Sequence, residues 1–184
     1  MSEELLDMLR QAGAVLEGHF KLTSGRHSGT YLEKFQVLQY PAYTERLCRD
    51  IADRFRGEGV ELVAGPTTGG VILAFEVGRQ LGVRGIFAES VDGGRRFLRG
   101  FVVHPGERVL VVDDVLTTGG SIRQVLSAVE AAGGLPIGVA VLIDRTGGKI
   151  DFGVPLFACL ELAVPSYDAS ECPLCAEGLP LKET

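Results

Sequence analysis

Basic side chains are the scarce class in this 184-residue sequence: 18 Lys and Arg stand against 24 Asp and Glu, for a net charge of −6. Nucleic-acid binding relies on clustered Lys and Arg that neutralise phosphates, so nucleic acid is not expected as a partner. A small anionic substrate stays open, because a local positive site can sit on an acidic protein. Long apolar runs are missing too. No stretch approaches the ~20 residues that span a bilayer, so no membrane partner is expected. The N-terminus, MSEELLDMLRQAGAVLEG, lacks the basic start and apolar run of a signal peptide. It reads instead as an amphipathic helix capped by Ser2, and the protein is expected to be cytoplasmic.

Cysteine is sparse. Cys48 falls in an expected helix and Cys159 in an expected strand, and both read as small buried apolar residues. Cys172 and Cys175 form a CPLC near the end. Zinc normally takes four ligands, and no second CxxC or paired His stands nearby to complete a set. The pair therefore reads as structural or incidental thiols, with no direct metal ligand. Signatures of other chemistries are also absent: no GxxxxGK, no GxGxxG, no HExxH and no GxSxG occurs.

What is present is a regular alternation. From Pro41 onward, helical patterns (YTERLCRDIADRFRG, GGVILAFEVGRQLG, SIRQVLSAVEAAGG) alternate with short apolar strands (ELVAG, RGIFAE, RVLVVDD, PIGVAVLID, PLFACLEL). Strands apolar throughout and separated by helices indicate an α/β fold, a parallel sheet covered on both faces. One domain is expected, with residues 1–40 a helix plus two strand-like runs, 41–165 the α/β core and 166–184 a tail. Ligands of such sheets bind at the carboxyl ends of strands. That rule points to Gly65–Gly70, to Asp113–Ser121 and to the loop after Asp144.

The middle of these is the most informative. In VLVVDDVLTTGGS (Val109–Ser121) a buried strand delivers Asp113 and Asp114 to its end, and Val115 and Leu116 lead into Thr117, Thr118, Gly119, Gly120 and Ser121. Glycines let backbone N–H groups approach an oxyanion, the following helix N-terminus favours negative charge, and three hydroxyls add donors. This is a cradle for a phosphate monoester. Carboxylates beside it would repel the phosphate, so they suit the paired hydroxyls of a ribose, and one of them can touch Mg²⁺ through water.

This segment resembles the PRPP-binding signature of the type I phosphoribosyltransferases. Their fold is a central parallel sheet flanked by helices, with a small N-terminal hood over the base; PRPP is phosphoribosyl pyrophosphate, which they bind with Mg²⁺. Other segments resemble the orotate-using branch of that family, which serves pyrimidine synthesis. These are HFKLTSGRHSGTYLEKF (His19–Phe35), GPTTGGVILAFEVGRQLGV (Gly65–Val83) and ECPLCAEGLPL (Glu171–Leu181). The resemblance implies PRPP contacts at Asp113 through Ser121 and at Thr68 and Gly69. It implies orotate contacts at Thr117, Arg145 and Tyr31, with Arg145 gripping the carboxylate. Leu32 stands where a second aromatic is usual, and Thr23 where some members carry lysine.

The segment Glu89–Gly100 departs from the family's longer loop and offers Arg95, Arg96 and Arg99 for the pyrophosphate, with Lys21 and Lys34 as further candidates. It is expected to be mobile until PRPP binds. The family also implies a homodimer in which this loop reaches the neighbouring site. Alternatives are a phosphoribosyltransferase for a purine or uracil, or a regulatory protein that keeps the PRPP fold; the −6 charge disfavours the latter.

Overall fold

The computed structural model describes residues 2–22, 24–162 and 164–183. The chain begins with α1 (Ser2–Gln11), β1 (Val15–Lys21), β2 (His27–Leu32), α2 (Lys34–Leu38) and α3 (Pro41–Phe55). It continues through β3 (Leu62–Pro66), α4 (Gly69–Leu81), β4 (Arg84–Val91), β5 (Gly94–Phe97), β6 (Arg108–Leu116) and α5 (Gly120–Ala131). It closes with β7 (Leu135–Asp144), β8 (Leu156–Glu161), β9 (Ser166–Tyr167), a 3-10 turn, α6 (Pro173–Ala176) and β10 (Leu181–Glu183).

Why the central strands are apolar on every residue is plain from β6. Side chains of a strand alternate between its faces, and both faces of this one are covered. Leu110 and Val112 join the core beneath α1, α3 and α4, with Leu5, Leu47, Ile51, Phe55, Leu73 and Val77. Val109 and Val111 join the opposite core, with Ile122, Val125 and Val129 of α5. The main sheet runs β5-β4-β3-β6-β7-β8. All its pairs are parallel except β4 with β5. The order reverses between β3 and β6, and such a switch point opens a crevice at the strand ends. Among the described residues, no helix is long and apolar enough to cross a membrane.

A second, small sheet has the order β10-β1-β2-β9. It joins the N-terminal hairpin to the tail, β10 running parallel to β1 and β9 antiparallel to β2. Two sequence expectations change here. The N-terminal helix was expected to run to residue 18, yet it ends at Gln11 and β1 begins at Val15. Val15, Leu16 and Glu17 are taken by pairing with Leu32, Tyr31 and Thr30, a long-range partner that helical periodicity does not register. The capping expected of Ser2 concerns a side chain outside those described.

The second change is at Glu89–Gly100. The expected irregular loop is a hairpin, in which Val91 pairs with Gly94 and Ser90 with Arg95. Its two turn residues have positive φ, Asp92 at 50° and Gly93 at 79°. That is the conformation of a tight primed turn, for which Asp-Gly is a favoured pair. Gln124 of α5 donates to the Gly93 carbonyl at 3.0 Å and ties the tip down.

Candidate active site

Asp113 and Asp114 are adjacent, so the strand that carries them points them to opposite faces. Asp113 follows Val109 and Val111 toward the α5 side, and Asp114 follows Leu110 and Val112 toward the α4 side. Both are buried. Asp114 is held by Lys34, whose ammonium lies 3.0 Å from Oδ1 and 2.9 Å from Oδ2. It also accepts from the Val115 N–H at 2.6 Å. Asp113 has no such cation in contact among the described residues and accepts the Asp114 N–H at 2.9 Å. Burial pushes its carboxyl up to about 7, with the Asp114 charge adding to the rise; the Asp114 N–H, Lys34 and Arg95 oppose it. Lys34, expected as a further candidate for the pyrophosphate, here pairs with Asp114. Its role was hidden because the partner lies 80 residues on.

Two helix N-termini open onto the same edge. At α5 the residue before the helix is Gly119, which makes no side-chain cap, and Thr117, Thr118 and Ser121 around it are exposed. Gly119 has φ of 76°, and a β-carbon there would come within 3.0 Å of the Phe152 ring. Glycine is therefore required both for the turn and for the contact. At α4 the preceding Thr68 is likewise uncapping. A β-carbon on Gly69 would fall 1.6 Å from Asp114 Oδ2, so α4 starts directly against that carboxylate. Helix N-termini without side-chain caps suit anions, and here two of them lie at adjacent strand ends with a carboxylate between them.

Of Arg95, Arg96 and Arg99, one turns inward. Arg95 Nη1 donates to Thr67 Oγ1 at 3.1 Å and to the Ala88 carbonyl at 3.0 Å, and Nη2 donates to the Thr67 carbonyl at 3.3 Å. It braces the β3–α4 loop. Arg99 is exposed and forked onto Glu89 at 2.8 and 2.9 Å. Arg96 is exposed opposite the same Glu89. A groove of about 570 Å³ lies between β5 and α5, lined in part by Arg95, Arg96 and Arg123. None of Asp113, Asp114, Thr117 or Arg145 lines it, so it is not the crevice at the switch point.

Arg145 follows β7, and its backbone N–H donates to the Leu116 carbonyl at 2.9 Å. That bond puts it beside the start of the Thr117–Ser121 loop. Its guanidinium is half-buried; Nε is buried without a hydrogen-bond partner among the described residues. Burial pulls its pKa down, and the neighbourhood of Tyr31 opposes that shift. Tyr31 stands on β2 of the small sheet, its ring tilted 35° to that of Phe20 with centres 5.7 Å apart. Leu32 is buried in the core beneath. Lys21 is paired at the surface with Glu183 at 3.0 Å. Thr23 lies outside the described residues.

The tail thiols are not isolated, which corrects the reading that no paired His completes them. Cys172 and Cys175 meet His19 and His27, all four ligand atoms lying within 4.8 Å of one another. The two histidines sit in separate strands of the small sheet, so no spacing rule along the chain brings them to the CPLC.

Comparison with known proteins is consistent along the whole chain. The family model for the phosphoribosyl transferase domain matches residues 36–151. The chain is 53% identical over 180 residues to an orotate phosphoribosyltransferase of Heliobacterium modesticaldum, covering 97% of this chain and 94% of that one. It is 51% identical over 178 residues to the orotate phosphoribosyltransferase of Pelotomaculum thermopropionicum, covering 97% and 94%. Among solved structures, the Mycobacterium tuberculosis orotate phosphoribosyltransferase in complex with Fe(III) dicitrate superposes with a TM-score of 0.73 at 28% identity, over 87% of this chain and 95% of that one. The Aeropyrum pernix orotate phosphoribosyltransferase gives 0.71 at 29%, over 86% and 93%.

Proposed function

The chain belongs to the phosphoribosyltransferase family, in its orotate branch, and from that membership we propose how its residues share the reaction. Orotate N1 is joined to C1 of the ribose 5-phosphate of PRPP, and pyrophosphate leaves. The observation that carries the assignment of the base site is Arg145: a half-buried guanidinium with no anionic partner among the described residues, its backbone bonded to Leu116 at the start of the cradle. A desolvated cation is costly until an anion joins it, and a guanidinium fork matches a carboxylate with two parallel bonds. Orotate brings that carboxylate. Tyr31 and the Thr117 hydroxyl complete the base site.

The 5-phosphate takes the α5 N-terminus, with Thr117, Thr118, Gly119, Gly120 and Ser121. The pyrophosphate takes the α4 N-terminus at Thr68 and Gly69, with Arg95 next to it; Arg96 and Arg99 add charge from outside. Asp113 and Asp114 hold the ribose hydroxyls and stabilise positive charge on the ring as the bond to pyrophosphate breaks. Orotate N1 is anionic when bound, so no protein nucleophile is needed.

For Mg²⁺ the donor set is informative. Asp114 already has Lys34 and the Val115 N–H, and among the described residues no cluster of three acidic or His ligands forms around it. That suits a cation carried in by the diphosphate of PRPP and touched by Asp113 or Asp114 through water, since Mg²⁺ retains waters and substrate phosphates. It supplies charge neutralisation to the leaving group. We also propose a homodimer in the cytoplasm. Phe75 on α4 is 69% exposed, and Tyr40 and Phe35 are exposed on the neighbouring α3 start and α2. An apolar face of this kind favours a second copy.

The deciding assay mixes the protein with PRPP, Mg²⁺ and one base at a time, and follows pyrophosphate. Release with orotate and none with uracil, adenine, guanine or hypoxanthine is the expected pattern. Comparable turnover of uracil, which lacks the carboxylate, would overturn the role of Arg145.

A further inference from the structure

We infer that His19, His27, Cys172 and Cys175 form a closed structural zinc site that fastens the tail to the hood hairpin. The distances are those of ligands around one tetrahedral ion. His19 Nε2 lies 3.1 Å from His27 Nδ1 and 3.6 Å from the Sγ of each cysteine, and His27 Nδ1 lies 3.3 Å from Cys175 Sγ. Zinc bonds of roughly 2.0–2.1 Å to nitrogen and 2.3 Å to sulfur imply tetrahedral edges of about 3.3 Å between nitrogens and 3.6 Å between nitrogen and sulfur. The four edges above fall within about 0.3 Å of these values, and all four ligand atoms lie within 4.8 Å of one another.

The protonation of His19 is set for the purpose. Its Nδ1 lies 2.9 Å from the Leu179 carbonyl, which can only accept. Nδ1 therefore carries the proton, and Nε2 presents its lone pair to the cluster. A proton shared between the two rings would satisfy that one contact alone. It would leave two thiols converging on the same point for no purpose. His19, His27 and Cys172 are buried, Cys175 closes the set from outside, and neither sulfur is in a disulfide. Two thiolates and two imidazoles are a preferred zinc set. Binding releases the two thiol protons to solvent, leaving Zn²⁺ balanced by two thiolates.

The site also stands where the small sheet needs support. Its strands hold only 7, 6, 2 and 3 residues. The outer end, with His19, Phe20, His27, Ser28 and Cys172, belongs to neither apolar core. A sheet this short rarely persists without a hydrophobic face or a staple. The ion would supply the staple, linking β1, β2 and the segment around α6. It has no open coordination position, so its work is to hold the hood over the base, not to react.

The test uses the full chain purified without chelator. Elemental analysis should find one zinc per chain, and the Cys172→Ser/Cys175→Ser variant should hold none. Because that variant can fail to fold, the wild type is also stripped and titrated with cobalt. Tetrahedral visible bands and a near-ultraviolet sulfur-to-cobalt band should appear at one equivalent and vanish when zinc is added. The stripped protein should melt at a lower temperature and recover with zinc alone. A wild type that carries no zinc and takes up neither metal overturns the inference, as does zinc retained by the serine variant. A disulfide between Cys172 and Cys175 in the freshly isolated protein overturns it too.

Discussion

Lys34, the first residue of α2, holds Asp114 at the end of β6 with its ammonium 3.0 and 2.9 Å from the two carboxylate oxygens. Asp114 is 3% exposed, whereas the Lys34 side chain keeps 36%. Replacing the lysine strands a buried charge, which for fully buried pairs costs about 3–5 kcal/mol. The partial exposure of Lys34 places Lys34→Met near about 2–3 kcal/mol. Asp114→Asn in that background should recover part of the loss. Urea unfolding of the four proteins of this cycle measures the coupling, and simple additivity would show that the pair contributes nothing.

Asp113 makes stability depend on pH. Its carboxyl is pushed up to about 7 in the fold, whereas an unfolded aspartate ionises near about 4. Between those values the unfolded chain has lost the proton and the folded chain keeps it. Stability contributed by this group therefore falls as pH rises through that window, by at most about 1.4 kcal/mol per unit, and levels off above it. Asp113→Asn should remove that slope. Unfolding midpoints of the two proteins across the window give the comparison, and parallel curves would show that Asp113 ionises normally.

Arg145→Ala should weaken orotate far more than PRPP. Leaving a substrate carboxylate unpaired in a desolvated site costs about 2–5 kcal/mol. The Michaelis constant for orotate should rise accordingly, while that for PRPP changes little. An unchanged constant for orotate would refute the assignment.

Arg95, Arg96 and Arg99 should separate by their contacts. Arg95→Ala removes the brace on Thr67 and a charge beside the α4 N-terminus, and should lower kcat/KM for PRPP by about 1.5–3 kcal/mol, the scale of hydrogen bonds to charged groups. Arg96→Ala and Arg99→Ala, both at the surface, should cost much less than Arg95→Ala. Equal losses in all three would mean that the arginines act as a diffuse field.

Much of the frame was legible along the chain. Uninterrupted apolar strands between helices required a sheet buried on both faces, and VLVVDDVLTTGGS carried its strand, acids, glycines and hydroxyls within thirteen consecutive positions. Local order suffices there, because one strand end and one helix start build the cradle. The Asp92-Gly93 turn is also written in the chain, because Asp-Gly favours the positive φ angles of a tight primed turn.

What the tertiary structure alone decided are the pairings between distant segments. β1 became a strand because β2 lies beside it, and Asp114 received a lysine from the hood side while Asp113 received none. The adjacent acids were separated by strand alternation, which gives each a different face and a different environment. His19 and His27 met the CPLC only because the tail returns to pair with β1. Propensity and motif act over a few residues, whereas burial, ion pairing and ligand convergence depend on which distant segments the core brings together.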